Sequence, residues 1–280
     1  GFDDWQRQAI FRIDPEQTRW YSDPLPGTEQ LDLRLASGDR VHAWYLPASG
    51  ATADTPTVLY LHGARWNLNN SVFRLRRWHE LGFNVLAIDY RGFGRSTALL
   101  PSEDTAFEDV LAGFDELKRR QPDPGKRFVY GHSLGGALAV RLAADKRSQS
   151  RELAGVVLES SFTSIADLVA TMRWGWVPGI SLLVTQPFDS ARRIAQVEVP
   201  LLLIHGTGDN LVPHQMSDRL YEAARAVPGG LKRVLKIDGA SHSGVSRAGG
   251  RDYEQAVREF VEAAGALMRK EQAGGAMMPR

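Results

Sequence analysis

The chain contains no cysteine among its 280 residues. That absence excludes disulfide bonds, thiolate metal sites and a cysteine nucleophile together. The sequence also lacks any apolar run of about 20 residues, the length that a membrane-spanning helix needs. Neither sign of charge is in excess, since 34 basic and 33 acidic residues leave a formal net charge of +1. This balance gives no electrostatic reason to expect nucleic acid or another polyanion as a partner.

What the chain does contain is the composition of a globular protein. Hydrophobic residues make up 43% of it and charged residues 24%, which is enough apolar material for one sizeable core. No internal repeat interrupts the pattern. We therefore predict a single domain over residues 1–280, ending in a flexible, glycine-containing tail at 274–280.

Short β-branched runs alternate with longer helical patterns along most of the chain, which is typical of a parallel sheet with helices on both faces. Two early strands, at 30–35 and 41–46, are joined by a turn and predict an antiparallel hairpin at the sheet edge. The sequence thus predicts an α/β fold with a mostly parallel, eight-stranded sheet. The six further strands are predicted at 57–61, 84–88, 127–130, 155–158, 201–204 and 233–237, and helices at 71–81, 103–120, 134–146, 213–226 and 251–269.

The strongest chemical signal is the segment Gly131-His132-Ser133-Leu134-Gly135. It lies where a predicted buried strand meets a helix rich in alanine and leucine. A serine flanked by glycines two positions away, in that setting, is typical of a nucleophile elbow. The tight turn lifts the hydroxyl clear of the sheet, near the positive end of the helix dipole. We interpret Ser133 as a nucleophile rather than as a chance match to a short motif.

A serine needs a base, and the base needs an orienting acid. In this type of fold the acid and then the histidine follow the serine along the chain. His242 lies in a loop of small residues after the last predicted strand, which makes it the candidate base. Asp209 follows a buried strand on a glycine-containing turn and is the preferred acid, because one helix and one strand separate it from His242. Glu159, at the end of another strand, is the rival acid.

Acyl transfer also needs donors for the developing oxyanion. The backbone amide of Leu134, directly after the nucleophile, is one candidate. The other is the amide of Ala64, in the loop after the third strand, where Gly63 permits a close backbone approach.

Three further polar residues have structural interpretations. We expect His62 to be a buried histidine bonded to loop backbone rather than a second base. Asp89 and Arg91 lie in a glycine-rich turn, Asp89-Tyr90-Arg91-Gly92-Phe93-Gly94, and are expected to form a fold-stabilising pair.

These motifs resemble those of the α/β-hydrolase family over residues 40–267. Within that family the chain is similar to small serine hydrolases with a short helical lid, of the monoacylglycerol-lipase-like, serine-aminopeptidase-like and membrane-tethered depalmitoylase-like kinds. In several of these a membrane anchor precedes a segment like residues 5–11. The resemblance thus leaves two locations open, an exported or membrane-tethered one and a cytoplasmic one. The motifs are His62-Gly63, the segment 89–94, the segment 131–136, His205-Gly206-Thr207-Gly208-Asp209 and Ser241-His242.

Substrate choice in such enzymes usually depends on the lid, which we place at about 160–199. Trp174 and Trp176 lie there, in an apolar stretch, and are candidates to line an acyl pocket. The alternative is that they only pack the lid onto the sheet. No metal-ligand cluster, phosphate loop or dinucleotide motif stands out, so the sequence predicts neither a metal nor a cofactor.

Taken together, the residues predict a serine hydrolase that cleaves carboxylic esters, either acyl esters or acylglycerols, through an acyl-enzyme. Its partner would be a small-molecule ester, and the oligomeric state stays open. A peptidase, amidase or thioesterase with the same residues is an alternative, although the lid offers no acidic cluster to hold a peptide terminus. A non-catalytic binding protein on the same scaffold is a third hypothesis, against which the complete set of serine, acid, histidine and oxyanion donors argues.

Overall fold

Eight strands form one sheet in the order β1-β2-β4-β3-β5-β6-β7-β8 in the computed structural model, which describes residues 1–14, 20–146, 151–172, 175 and 177–276. The strands β1 to β8 are Glu29–Arg34, Arg40–Leu46, Thr57–Leu61, Asn84–Ile88, Arg127–His132, Gly155–Glu159, Leu201–Gly206 and Lys232–Ile237. β1 and β2 form an antiparallel hairpin at one edge, β2 runs antiparallel to β4, and all remaining pairs are parallel. The predicted mostly parallel sheet with its edge hairpin is confirmed.

The central strands carry no polar–apolar alternation because both faces of the sheet are covered. All residues of β3 to β7 are buried. Helices pack on each side, and the described α-helices α1 to α8 are Phe2–Phe11, Val72–Glu80, Glu103–Arg120, Leu134–Ala144, Ile165–Thr171, Ser190–Arg193, Gln215–Ala223 and Val245–Ala276. None of the described helices is both long enough and apolar enough to span a membrane.

Two separate apolar clusters cover the two faces of the sheet. One contains Phe114 of α3 and Leu138 of α4, and the other contains Trp78 of α2 and Phe260 of α8. This division accounts for the helix spacing in the sequence, since each crossover between parallel strands must lay a helix on one face or the other.

The N-terminal helix α1 has no counterpart in the sequence prediction. Its Phe11 is buried and makes an edge contact with Phe188, with 5.9 Å between the ring centroids. Its Gln6 is also buried and binds the main chain of the lid, donating to the Leu183 carbonyl at 2.7 Å and accepting from the Thr185 amide at 2.9 Å. Helix α1 is therefore anchored by two inward-facing residues and covers part of the lid.

The last helix is longer than predicted at both ends. It begins at Val245 and contains a non-helical residue, Gly250, with φ 47° and ψ −125°. It continues to Ala276, three residues into the segment for which the sequence predicts a flexible tail. Several strands also extend past their predicted ends, with β5 reaching His132 and β7 reaching Gly206.

The described part of the lid, residues 160–172, 175 and 177–199, contains short helical pieces, as predicted. These are α5, the 3₁₀ turn Ile180–Leu183, α6 and the 3₁₀ turn Ile194–Gln196. Trp174 and Trp176, the two residues expected to line an acyl pocket, lie outside the described residues.

Candidate active site

Three candidate catalytic residues follow three different strands of the sheet. Ser133 follows β5, Asp209 follows β7 and His242 follows β8. Because these strands are parallel, their carboxyl ends meet at one edge of the sheet, and side chains far apart in sequence converge there.

Ser133 has the backbone of a nucleophile elbow. It is the N-cap of α4, with φ 54° and ψ −114°, a conformation that non-glycine residues rarely adopt. The flanking glycines are needed because a Cβ on Gly131 would overlap the main chain of Gly135, and one on Gly135 would overlap the Leu61 carbonyl. The turn brings β5, α4 and the end of β3 into close contact around the half-buried serine.

The structure brings the serine, histidine and aspartate together in one chain of contacts. His242 Nε2 lies 3.1 Å from the Ser133 hydroxyl oxygen. On the other side of the ring, Nδ1 lies 2.7 Å from Asp209 Oδ2. Both distances are within hydrogen-bond range. This geometry suits one hydrogen bond from Nδ1 to the carboxylate and another from the serine hydroxyl to Nε2.

The Asp209 side chain is fully buried and all its described contacts are with donors. Its Oδ1 accepts hydrogen bonds from the amides of Leu211, at 2.9 Å, and Val212, at 2.8 Å. His205 Nε2 lies 3.2 Å from Oδ2. Burial alone would raise the pKa of Asp209, but the hydrogen bonds from His205 and His242 and the charge of His242 outweigh it and lower the pKa below its ordinary value. The carboxylate is therefore ionised at neutral pH.

Glu159, the rival acid, has a different environment. It is fully buried at the end of β6, accepts a hydrogen bond from the Tyr253 hydroxyl at 2.8 Å, and lies 3.8 Å from Arg74 Nε. Burial raises the pKa of Glu159 against the opposing charge of Arg74. The acid that contacts the His242 ring is Asp209.

The loop after β3 approaches the serine closely. A Cβ on Gly63 would lie 3.4 Å from the Ser133 Cβ and 3.1 Å from the His132 carbonyl oxygen, so only glycine fits without a shift. The loop is held in place by the Arg65 amide, which donates to the Phe11 carbonyl at 2.7 Å. Ala64 is half-buried beside Gly63, and Leu134 is the first residue of α4. Both predicted oxyanion donors thus belong to segments that border Ser133.

Comparisons with known proteins agree with this architecture. A family model described as "Serine aminopeptidase, S33" matches residues 53–186. An uncharacterized protein of Mycobacterium tuberculosis strain H37Rv is 34% identical over 258 residues, covering 91% of this chain and 87% of that protein. The chain belongs to the α/β-hydrolase family.

Two further comparisons extend the relationship. The α/β-hydrolase domain-containing protein WAV2 of Arabidopsis thaliana is 26% identical, with 88% of this chain and 82% of that protein covered. The solved structure of the Pyrococcus furiosus esterase Pf2001 superposes with a TM-score of 0.68 at 21% identity, over 87% of this chain and 96% of the esterase. At that identity the superposition shows the α/β-hydrolase fold alone.

One structural expectation for the site region is wrong. Asp89 and Arg91 do not form their predicted pair, because each binds a different partner. Asp89 lies 3.1 Å from His62 Nε2, whereas Arg91 Nε donates to the buried Asp109 at 2.7 Å. Residues two apart share one face of a strand, but Asp89 follows the end of β4 and Arg91 lies in a turn, where that alternation no longer applies. His62 is buried and contacts the Gly63 carbonyl at 2.7 Å, as expected of a structural histidine.

Sequence reasoning missed three buried polar residues around the candidate base and acid. His205 contacts Asp209, while His132 and Ser160 both bind the main-chain carbonyl of His242. His132 is the last residue of β5, Ser160 directly follows β6 and His205 is the last residue but one of β7, so all three lie at the same sheet edge. That position at the sheet edge was the one sequence signal that could have found them. All three lie within or beside segments that had been chosen for Ser133, Glu159 and Asp209.

The described part of the chain contains no group of three or more metal-ligating side chains. What the site offers instead is a serine hydroxyl, an imidazole in contact with a buried carboxylate, and two backbone segments bordering the serine. This arrangement has the components that acyl transfer requires of a protein.

Proposed function

We propose that this hydrolase cleaves carboxylic esters through an acyl-enzyme, with Ser133 as nucleophile, His242 as general base and Asp209 as the orienting acid. The observation that carries the proposal is the contact chain from Asp209 through His242 to Ser133, at 2.7 and 3.1 Å. The chain of contacts ends at Ser133, whose strained backbone presents the hydroxyl at the N-terminus of α4.

The reaction follows from these contacts. His242 Nε2 takes the proton of the Ser133 hydroxyl as its oxygen attacks the ester carbonyl carbon. The resulting oxyanion would be stabilised by the amides of Leu134 and Ala64. His242 then gives the proton to the leaving alcohol and the acyl-enzyme forms. Water, deprotonated by the same histidine, attacks the acyl carbonyl carbon, the bond to the Ser133 oxygen breaks, the carboxylic acid leaves, and His242 returns the proton to that oxygen.

Asp209 contributes by fixing the tautomer and by its charge. Its ionised carboxylate accepts a hydrogen bond from Nδ1–H, which leaves Nε2 free to accept the proton of Ser133. When His242 becomes positively charged during attack, the buried carboxylate stabilises that charge in a region of low dielectric.

An aminopeptidase is the second candidate, because the matching family model carries that description. Such an enzyme needs a free carboxylate to bind the substrate's α-ammonium group. Two of the three acidic lid residues are already used within the protein. Asp167 pairs with Arg219 at 3.4 Å, and Asp189 caps α6 by accepting from the Arg192 amide at 3.2 Å. The third, Glu198, is exposed next to the start of β7. The lid thus favours an uncharged acyl group over an amino-acid substrate.

The acyl group itself would bind under the lid. Trp174 and Trp176 remain the proposed lining residues for that pocket. If they bury an acyl chain, lengthening a substrate by two carbons should raise kcat/KM by about tenfold until the pocket is full.

The proposal is tested by treating the protein with a fluorophosphonate probe and measuring its intact mass. A single adduct should form and map to the peptide containing Ser133, and Ser133→Ala should abolish it. Ser161→Ala is the matched control, since Ser161 is a nearby buried serine whose hydroxyl has no hydrogen-bond partner among the described residues. An adduct that persists in Ser133→Ala would overturn the assignment.

A substrate panel separates ester hydrolysis from its alternatives. We expect p-nitrophenyl esters to be cleaved with a higher kcat/KM than thioesters of the same acyl group and aminoacyl p-nitroanilides. Preference for the anilides would establish the aminopeptidase instead.

A further inference from the structure

The candidate base, His242, lies outside regular secondary structure. His242 belongs to the turn between β8 and α8, and its neighbours Ser241 and Ser243 are both exposed. Yet its ring must meet two partners at once, Asp209 at 2.7 Å and Ser133 at 3.1 Å. Side-chain packing cannot fix an imidazole whose own backbone is free to move, so the main chain at residue 242 needs an anchor.

Ser160 supplies one anchor. It is fully buried directly after β6, its amide donates to the Ile204 carbonyl at 2.9 Å, and its hydroxyl donates to the His242 carbonyl at 3.0 Å. Its φ is +55°, in the left-handed region where glycine is favoured. A serine in that conformation carries backbone strain that glycine would relieve. Unlike glycine, however, it has a hydroxyl group that can donate a hydrogen bond.

His132 supplies a second anchor on the same atom. Its Nε2 lies 3.0 Å from the His242 carbonyl oxygen, so this nitrogen is the protonated donor. Burial, the charge of Arg74 and the proximity of His242 lower the pKa of His132 well below its ordinary value, so the ring is neutral and donates one proton. Because His132 directly precedes Ser133, this bond ties the strand of the nucleophile to the turn of the base.

We propose that Ser160 and His132 are positioning residues for His242, which they hold in register with Ser133 and Asp209 by binding its main-chain carbonyl. The inference rests on the proposed function, because it assigns a role relative to the base. A carbonyl oxygen has two acceptor sites, and here both are used by buried donors from the ends of adjacent strands. A displacement of about 1 Å at a catalytic group costs on the order of a hundredfold in rate, so losing one of the two anchors should cost about tenfold.

The deciding experiment compares Ser160→Gly, Ser160→Ala and the control Ser161→Ala. Both Ser160 variants lose the hydroxyl, but only glycine also relieves the left-handed backbone. We therefore expect Ser160→Ala to lower the melting temperature and Ser160→Gly to leave it near that of the wild type. A purely structural role would make activity follow stability, whereas a positioning role makes both variants equally slow.

Activity is measured as kcat on a p-nitrophenyl ester per active site titrated with the fluorophosphonate probe. Titration removes any unfolded fraction from the comparison. We expect kcat to fall about tenfold in both Ser160 variants with KM changed less than about twofold, and Ser161→Ala to match the wild type. A kcat for Ser160→Gly within twofold of the wild type would overturn the inference.

Substitutions of His132 test whether a hydrogen-bond donor at this position is what supports kcat. His132→Leu removes the donor and should reduce kcat by a similar factor, whereas His132→Gln keeps an N–H donor and should recover part of the loss. Equal kcat values for the two variants would also count against a positioning role.

The two proposals fail in different ways. If the wild-type protein forms no adduct at Ser133, the proposed function is wrong and the positioning role falls with it. If the wild type is labelled at Ser133 and Ser160→Gly is labelled and turns over at the same rate, only the positioning role is wrong.

Discussion

The sheet edge that carries the candidate active site and the lid above it are built in different ways. At the sheet edge, the side chains of Asp209 and His205 are fully buried, and Asp209 receives donors on both carboxylate oxygens. In the lid, Leu182 is 87% exposed and the helical pieces α5 and α6 are only seven and four residues long. One region is fixed by hydrogen bonds to strand ends, and the other has little core of its own.

This difference assigns separate tasks to the two regions. Chemistry that needs atoms placed within fractions of an ångström depends on the sheet, whose parallel strands fix where each loop begins. Under the proposed function, the choice of acyl group would fall to the lid, whose side chains are free of that constraint. Substitutions at the edge should therefore change rate or stability strongly, and substitutions on the lid surface should change stability little.

The largest effect is expected for Asp209→Asn. Asparagine can still accept hydrogen bonds from the amides of Leu211 and Val212, so the fold should persist. Its NH₂ group, however, would face His242 Nδ1 and favour the tautomer that carries its proton on Nε2. We expect kcat/KM to fall by about 10⁴-fold. Because the pKa of Asp209 lies below its ordinary value, the acid is ionised throughout pH 5 to 9, and its own titration should add no step to the wild-type pH profile of kcat/KM in that range. Glu159→Gln is the matched comparison, and a larger loss there would transfer the role of acid to Glu159.

The next largest effect is expected for Gly135→Ala. A Cβ at this position would overlap the carbonyls of Leu61 and His62, so the end of β3 must move. Overpacking against backbone typically costs about 1–3 kcal/mol of unfolding free energy, and the displaced β3 loop should also slow turnover. Gly229→Ala is the control, since a Cβ there meets no atom within 4 Å. Equal melting temperatures for the two variants would show that the elbow is less tightly packed than described.

The same contrast explains how far the sequence could predict the molecule. Most strands were predictable as short apolar runs bounded by turns. The three residues that meet, Ser133, Asp209 and His242, were predictable because each follows the carboxyl end of a strand and such ends converge in a parallel sheet. The contacts of Ser160 and His132 were not predictable, because both bind a main-chain carbonyl that no residue pattern encodes.

Other features depend on tertiary contacts that sequence periodicity does not contain. Helix α1 is held by Gln6 and Phe11 against segments more than 80 residues away. Asp89 and Arg91 are neighbours in sequence but bind His62 and Asp109 respectively. Long-range partners of this kind decide the structure of a segment irrespective of its own propensity.

An intermediate effect is expected for Glu103→Gln, at the point where the lid joins the core. The buried Glu103 carboxylate accepts from the Phe188 amide at 3.0 Å and pairs with Arg193 and Arg141. Removing its charge should lower the unfolding free energy by about 1–3 kcal/mol, measured by urea denaturation. The control is Asp104→Asn, because Asp104 is 84% exposed although it also pairs with Arg141. The Asp104→Asn variant should lose no more than about 0.5 kcal/mol of unfolding free energy. Equal losses in the two variants would show that Glu103 does not hold the lid to the core.

The smallest effect is expected for Leu182→Ser on the lid surface. With 87% of its surface exposed, this leucine contributes little to the core, so the unfolding free energy should change by less than about 0.5 kcal/mol. A loss comparable to that of a buried leucine, about 2–5 kcal/mol, would mean that the lid is packed as firmly as the sheet edge.

The proposed reaction depends on Ser133, activated by His242, forming a covalent acyl-enzyme. Rapid acid quench of the protein mixed with p-nitrophenyl acetate, followed by mass analysis, tests it most directly. About one equivalent of p-nitrophenol should be released in a burst, with one acetyl group on the peptide containing Ser133. Burst and acetyl group should both be absent in Ser133→Ala. An acetyl group on another residue, or undiminished hydrolysis by Ser133→Ala, would contradict it.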